Sequence, residues 1–414
     1  MLAQASRLES HLMSESATVS ESTESSAPKE SPSAAGGRSA STCLRFRGDA
    51  KELAEAIGIA ASVAPTKSPR PVLQNLLLHA HDGLLEATGT DLEVAVRIRV
   101  EQVEVLQDGQ VLVNANRFQQ ILRELIGEQI EVSTDERAGC TITTGDARFQ
   151  VMGEDPEDFP ELPPWPSEGA FELPAPQLLE MVRRTHFATH AEKTRYAMNG
   201  ILLDIKDTRV HLVATDGKRL ALCERPLEEK AEQATHVVVP TKGMTLLTRI
   251  LGSHEEQVEI SVEGSQIYMR TATALLSARL VQGHFPPYEE VLPKDHDKIL
   301  TVPRESFLSA LRRAALLGTK DSQAVRFCFA KEGLELTSRV PEVGESRIQF
   351  PIDFPFEEAL EIGFNPGYFS DVLKVLETPE FRLELKDARS AAVVREESEE
   401  QRYVYLVMPL NLGG

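Results

Sequence analysis

Apolar positions along this chain follow two periods that alternate in a fixed order. Apolar residues at i, i+3, i+4 and i+7 spacing predict helices. They occur at KELAEAIGIAASVA (51–64), VNANRFQQILREL (113–125), PQLLEMVRRTHFATH (176–190), VPTKGMTLLTRIL (239–251), ESFLSALRRAALLG (305–318) and FNPGYFSDVLKVL (364–376). Between them, apolar and polar residues alternate as strands do, in NLLLHAHDGLLEATG, ILLDIKDTRVHLVATD and QVEISVEGSQIYMRTA. Asp-Gly at 82–83 and Glu-Gly at 263–264 and 332–333 supply the reversals.

The helix segments at 113, 239 and 364 share one design: an apolar strand end, an Asn or Thr at the cap position, then the helix. Their starts lie 126 and 125 residues apart. Thr90-Asp91 recurs as Thr215-Asp216, and DFP at 158–160 recurs as HFP at 284–286. Marks kept in register predict three homologous units of about 125 residues. Their expected spans are 42–168, 169–296 and 297–414, each α+β with two helices backed by antiparallel sheet. Sheets joined side by side leave an edge at each end of such a chain, and a closed ring with a second copy protects both. Residues 1–41 are different. Twelve Ser and five Glu with few large apolar residues predict a disordered tail, and the acids argue against a transit peptide.

Composition narrows the function. No run approaches the roughly 18 apolar residues that span a bilayer, and the start lacks a secretory pattern, so a cytoplasmic protein without a membrane partner is expected. Four scattered cysteines (Cys43, Cys140, Cys223, Cys328) fit reduced thiols. A net charge of −20 in 414 residues argues at first against nucleic acid. The six predicted helices nevertheless carry a surplus of +4 and the remainder −24. A basic helix layer in an acidic protein suits loose phosphate contact, which makes Arg117, Arg123, Arg183, Arg184, Lys242, Arg249, Arg312 and Arg313 candidates, with no base-reading constellation beside them. Enzyme signatures are missing: no phosphate-cradling Gly loop, dinucleotide fingerprint or nucleophile elbow. His186 and His190 have an i, i+4 spacing but lack the Glu of H-E-x-x-H, so no metal is expected. Asp91 and Asp216 read as turn residues, not as an acid/base pair.

RYAMNGILL (195–203), LVATDGKRLAL (212–222), GTDLE (89–93), HFPPYEEVLP (284–293) and YLVMPLNL (405–412) together resemble the bacterial DNA polymerase III beta subunit, the sliding clamp, over about residues 42–412. The resemblance implies a head-to-tail homodimer of six domains around double-stranded DNA, without catalysis or cofactor. It implies as partners the replicative polymerase catalytic subunit, the clamp loader, and other polymerases and repair proteins with clamp-binding peptides. It adds Lys67 and the Arg195-Tyr196 loop to the DNA contacts, with Ala197 and Thr241 where some clamps have an aromatic and a basic residue. It implies a peptide pocket of Met198, Thr215, Gly217, Arg219, Leu220, Pro286 and Val291 with Leu406, Val407, Met408, Pro409 and Leu410. Glu290 and Asn411 remove positive charge common at its rim. The implied dimer contact sets Arg148 and Phe149 against Leu316 and Leu317, with Glu342 and Glu345 complementing Arg148. A same-fold scaffold that no longer encircles DNA is the second reading, and an α+β enzyme using the Asp turns the third.

Overall fold

The opening turn shows how local sequence starts the first unit. Strand β1 (Arg45–Asp49) ends on Asp49, whose carboxylate accepts hydrogen bonds from the Lys51 and Glu52 amides and so caps α1 (Ala50–Ala61). The computed structural model describes residues 43–166, 170–192, 196–227, 230, 234–251, 257–318, 324–341, 343–397 and 402–411. The tail (1–41), Arg195 and Glu342 lie outside the described residues.

The first unit continues through β2 (Asn75–His81), β3 (Leu84–Thr90), β4 (Val94–Val100), β5 (Val103–Gln107), β6 (Gly109–Asn114), α2 (Ala115–Glu124), β7 (Gln129–Thr134), β8 (Gly139–Thr143) and β9 (Arg148–Glu154). The second is β10 (Ala170–Pro174), α3 (Ala175–Thr185), β11 (Gly200–Lys206), β12 (Arg209–Thr215), β13 (Arg219–Pro226), β14 (Thr235–Pro240), α4 (Thr241–Ile250), β15 (Gln257–Glu263), β16 (Gln266–Arg270), β17 (Ala274–Arg279) and a short α5 (Tyr288–Val291). The third is β18 (Lys298–Pro303), α6 (Arg304–Ala314), β19 (Val325–Ala330), β20 (Gly333–Val340), β21 (Gly344–Phe350), β22 (Leu360–Phe364), α7 (Pro366–Leu373), β23 (Glu380–Leu385), β24 (Ala392–Glu397) and β25 (Arg402–Val407). Each unit thus repeats one order of strands and two long helices; β5 and α5 are additions. No helix among the described residues is long and apolar enough to cross a membrane.

Asn114 and Asn365 cap α2 and α7 through their side-chain oxygens. Thr241 differs from the expected cap: it is the first helical residue, and its hydroxyl donates to the Asn199 carbonyl. Where α1 crosses the sheet, a Cβ on Gly89 would sit 2.3 Å from the Ala60 carbonyl oxygen. Only glycine allows that approach. The strands are antiparallel throughout, and sheets run on from unit to unit. Strand β4 pairs with β17, Ala274 opposite Ile98, and β13 pairs with β25, Leu220 opposite Leu406. The helices bury Leu53, Phe118, Leu178, Met244, Phe307 and Phe369 in one extended core. A second apolar cluster, with Leu202, Leu220, Leu222, Val404 and Leu406, lies apart from it under Val281, Phe285 and Leu292. Burial pushes the thiols of Cys140 and Cys223 up to about 12.

Candidate nucleic-acid interface and peptide groove

Helix periodicity separates the basic candidates by face. Arg117 and Arg123 on α2, Arg183 on α3, Lys242 and Arg249 on α4, and Arg312 and Arg313 on α6 are exposed, while Phe118, Leu122, Met181 and Leu311 of the same helices are buried. Arg123, Arg183, Arg249, Arg312 and Arg313 fall in last turns, where the helix dipole favours cations. Lys67 is exposed in its loop and Tyr196 is half-exposed.

Arg184 does not belong with them. It follows Met181 by three residues, on the buried side of α3, and is 6% exposed. Its guanidinium lies 2.9 Å from Glu180, 2.7 Å from Glu396 on β24 and over the Tyr403 ring. The charge therefore joins the second unit to the third and is out of reach of phosphate. Two further cations are engaged between units while staying exposed. Lys242 Nζ bonds Asp91 and the Val63 carbonyl, and Arg249 reaches the Gly58 carbonyl at 3.4 Å.

The two Thr-Asp turns carry the same bonds. Asp91 accepts from the Glu93 and Val94 amides, and Asp216 from the Lys218 and Arg219 amides. Their second oxygens face Lys242 and Arg219, so both are Asx turns tied by cations. Helix α3 ends at Thr185, so His186 and His190 share no helical face. Their Nδ1 atoms lie at the Val182 carbonyl and at the Glu192 backbone.

The predicted groove residues meet where β13 pairs with β25. The Met408 amide donates to the Lys218 carbonyl, and the Leu410 amide to the Gly363 carbonyl, which lays the chain end across the second and third units. Met198, Pro286, Pro409 and Leu410 are half-buried there, Met408 is 46% exposed and Val291 54%. Leu220 and Leu406 are buried as a floor in the second apolar cluster, and Thr215 is buried with its hydroxyl donating to the Arg219 carbonyl. Gly217 turns at φ 84°, a conformation that suits glycine. One residue faces away from the groove. Val407 is fully buried on the other side of β25, in the main core, because residue alternation turns it away from Leu406 and Met408. Arg219 also serves as a joint: it holds Asp216 at 3.1 Å, Asp371 at 2.7 Å and the Phe187 carbonyl at 2.6 Å under the Tyr368 ring. Periodicity offered no sign of Asp204, which anchors the loop over the floor. Fully buried on β11, it lies 2.8 Å from the Tyr288 hydroxyl, 3.1 Å from His236 Nδ1 and 3.0 Å from Lys206 Nζ. Burial alone would raise its pKa, but these bonds hold the carboxyl below its ordinary value.

At the chain's open edges, Arg148 is exposed and Phe149 half-buried on β9, and Glu345 is exposed on β21. Leu316 is 77% exposed and Leu317 half-buried in the turn after α6.

Sequence comparison matches residues 44–163, 172–287 and 289–411 to the N-terminal, central and C-terminal domains of the DNA polymerase III beta subunit. The chain is 32% identical over 370 residues to the beta sliding clamp of Pseudomonas putida, covering 89% of this chain and 100% of that one. It is 35% identical over 344 residues to that of Salmonella typhimurium, covering 83% and 93%. Among solved structures, a DnaN sliding clamp from Pseudomonas aeruginosa superposes with a TM-score of 0.82 at 30% identity, over 89% of this chain and 100% of that one. The DNA polymerase sliding clamp from Bacillus subtilis gives 0.82 at 26% identity, over 90% and 100%.

Proposed function

This chain belongs to the DNA polymerase III beta subunit family, the sliding clamps of DNA replication, and from that premise we propose that two copies close head to tail into a six-domain ring around duplex DNA. Strand pairing is the observation that carries the reading. The fourth strand of unit one, β4, pairs with the last strand of unit two, β17; the fourth of unit two, β13, pairs with the last of unit three, β25. One further application joins β21, the fourth strand of unit three, to β9, the last of unit one, on a second copy. Among the described residues both edges are available: β21 pairs with β20, and β9 pairs with β8 and, only at Gly153 and Glu154, with β6. Such pairing removes exposed edges and closes the symmetry with two chains. Arg148 and Phe149 then meet Leu316, Leu317 and Glu345, with Glu342 assigned to the same joint.

Within the ring, Lys67, Arg117, Arg123, Arg183, Arg195, Tyr196, Arg312 and Arg313 supply sequence-independent contact with phosphate, and Lys242 and Arg249 add charge while tying two units. The groove over Leu220 and Leu406, rimmed by Met198, Val291 and Met408, takes linear peptides with Leu or Phe anchors from the polymerase catalytic subunit, the clamp loader and repair proteins. The chain acts as a tether without catalysis or cofactor, in the cytoplasm, and its units divide near residues 42, 169 and 297. Loaded onto nicked circular DNA, the protein should stay bound through gel filtration and leave when the circle is cut. Equal loss from circle and linear DNA would refute encirclement. A labelled peptide ending in Leu-Phe should bind wild type, and Met408→Asp should weaken it at least about ten-fold, a change of about 1.4 kcal/mol, by fluorescence anisotropy.

A further inference from the structure

Away from the helix layer and the groove, β2 and β3 bring together a donor set of a different kind. His79 and His81 are two residues apart on β2 and project from the same side, opposite the buried Leu78 and Ala80. Glu86 on β3 stands directly across from His79. These three half-buried side chains offer two imidazole nitrogens and a carboxylate oxygen within 4.8 Å of one another. His81 Nε2 is already 3.5 Å from Glu86 Oε2. That is near the ~3.3 Å edge of a tetrahedron with bonds of about 2.0 Å. The two rings converge, 4.4 Å between centroids. Asp82 Oδ2 lies 3.4 Å from His81 Nδ1, which leaves Nε2 facing Glu86. A carboxylate on the outer nitrogen is how proteins orient a metal-binding histidine.

We propose that His79, His81 and Glu86 form a site for a borderline-soft divalent cation such as Zn2+, with Asp82 positioning His81 and one coordination place left to water. The nitrogen-rich donor set selects against Mg2+ and Ca2+, which take oxygen ligands. Arg97 is the competitor: its Nε lies 3.7 Å from Glu86 Oε2 and its side chain is half-exposed. The bound ion cross-links β2 to β3, one strand away from β4 and its junction with β17.

The test uses tag-free, full-length protein freed of metal by chelator, with Zn2+ titrated against a chromophoric chelator and Co2+ followed by its visible absorption. Expected are one ion per chain, a tetrahedral Co2+ band, and affinity lowered at least about 10-fold by His81→Gln or Glu86→Gln. Arg97→Gln should bind more tightly. Glu86→Gln keeps the shape of the side chain, so the test survives if a histidine variant misfolds. Unchanged affinity in Glu86→Gln, no ion held against the chelator, or loss only in a His186→Gln/His190→Gln variant would each overturn the site.

Discussion

On α3, Arg183 points to solvent while its neighbour Arg184 is enclosed by Glu180, Glu396 and the Tyr403 ring. Identical chemistry therefore does different work one residue apart. Arg183→Ala should lower the slope of log affinity for duplex DNA against log salt by about 0.9 for each of the two copies in the ring, with stability within about 0.5 kcal/mol of wild type. Arg184→Ala should leave the slope unchanged and cost about 1–3 kcal/mol, since it takes a charged partner from the half-buried Glu180 and Glu396. DNA anisotropy at several salt concentrations and urea unfolding separate the two. The distinction was partly legible in sequence. Leu178, Met181, Val182 and Thr185 mark the buried side, and Arg184 follows Met181 by one turn. What sequence did not contain was the identity of its partner, because Glu396 lies 212 residues away.

Among the elements, the loop that roofs the second apolar cluster depends on the short helix α5, and α5 depends on Asp204 through the Tyr288 hydroxyl. A carboxyl held below its unfolded pKa adds stability above that value and loses it as pH falls through the folded one. Asp204, whose ordinary value is 3.8, should therefore steepen the loss of stability below about pH 4. Asp204→Asn should be less stable at pH 7 and show a flatter acid limb, measured by urea unfolding from pH 7 to 3. A steeper limb in the variant would contradict the assignment. The six long helices and the tight turns were legible because local period and Asp-Gly or Glu-Gly chemistry specify them. The Thr241 cap was misread because Pro240 completes β14 and leaves Thr241 to bond Asn199 instead.

In the whole molecule, the repeated strand pairing points to β21 and β9 as the edges that a second copy joins in the proposed ring. Arg148→Glu should weaken the dimer at least about ten-fold by placing like charges at the joint, and adding Glu345→Arg should recover much of the loss, by sedimentation equilibrium. Recovery failing in the double variant would move the contact elsewhere. By itself the sequence determined three units of one design, the helices and their basic surplus, because period and spacing are local properties that recur along the chain. Only the tertiary structure decided which charges stay available. It buried Arg184, tied Lys242 to Asp91, turned Arg219 into a joint and Val407 into core, and brought His79, His81 and Glu86 together across a hairpin. Those outcomes depend on which strand lies beside which. That choice balances burial and ion pairing between residues far apart in the chain, which no local pattern records.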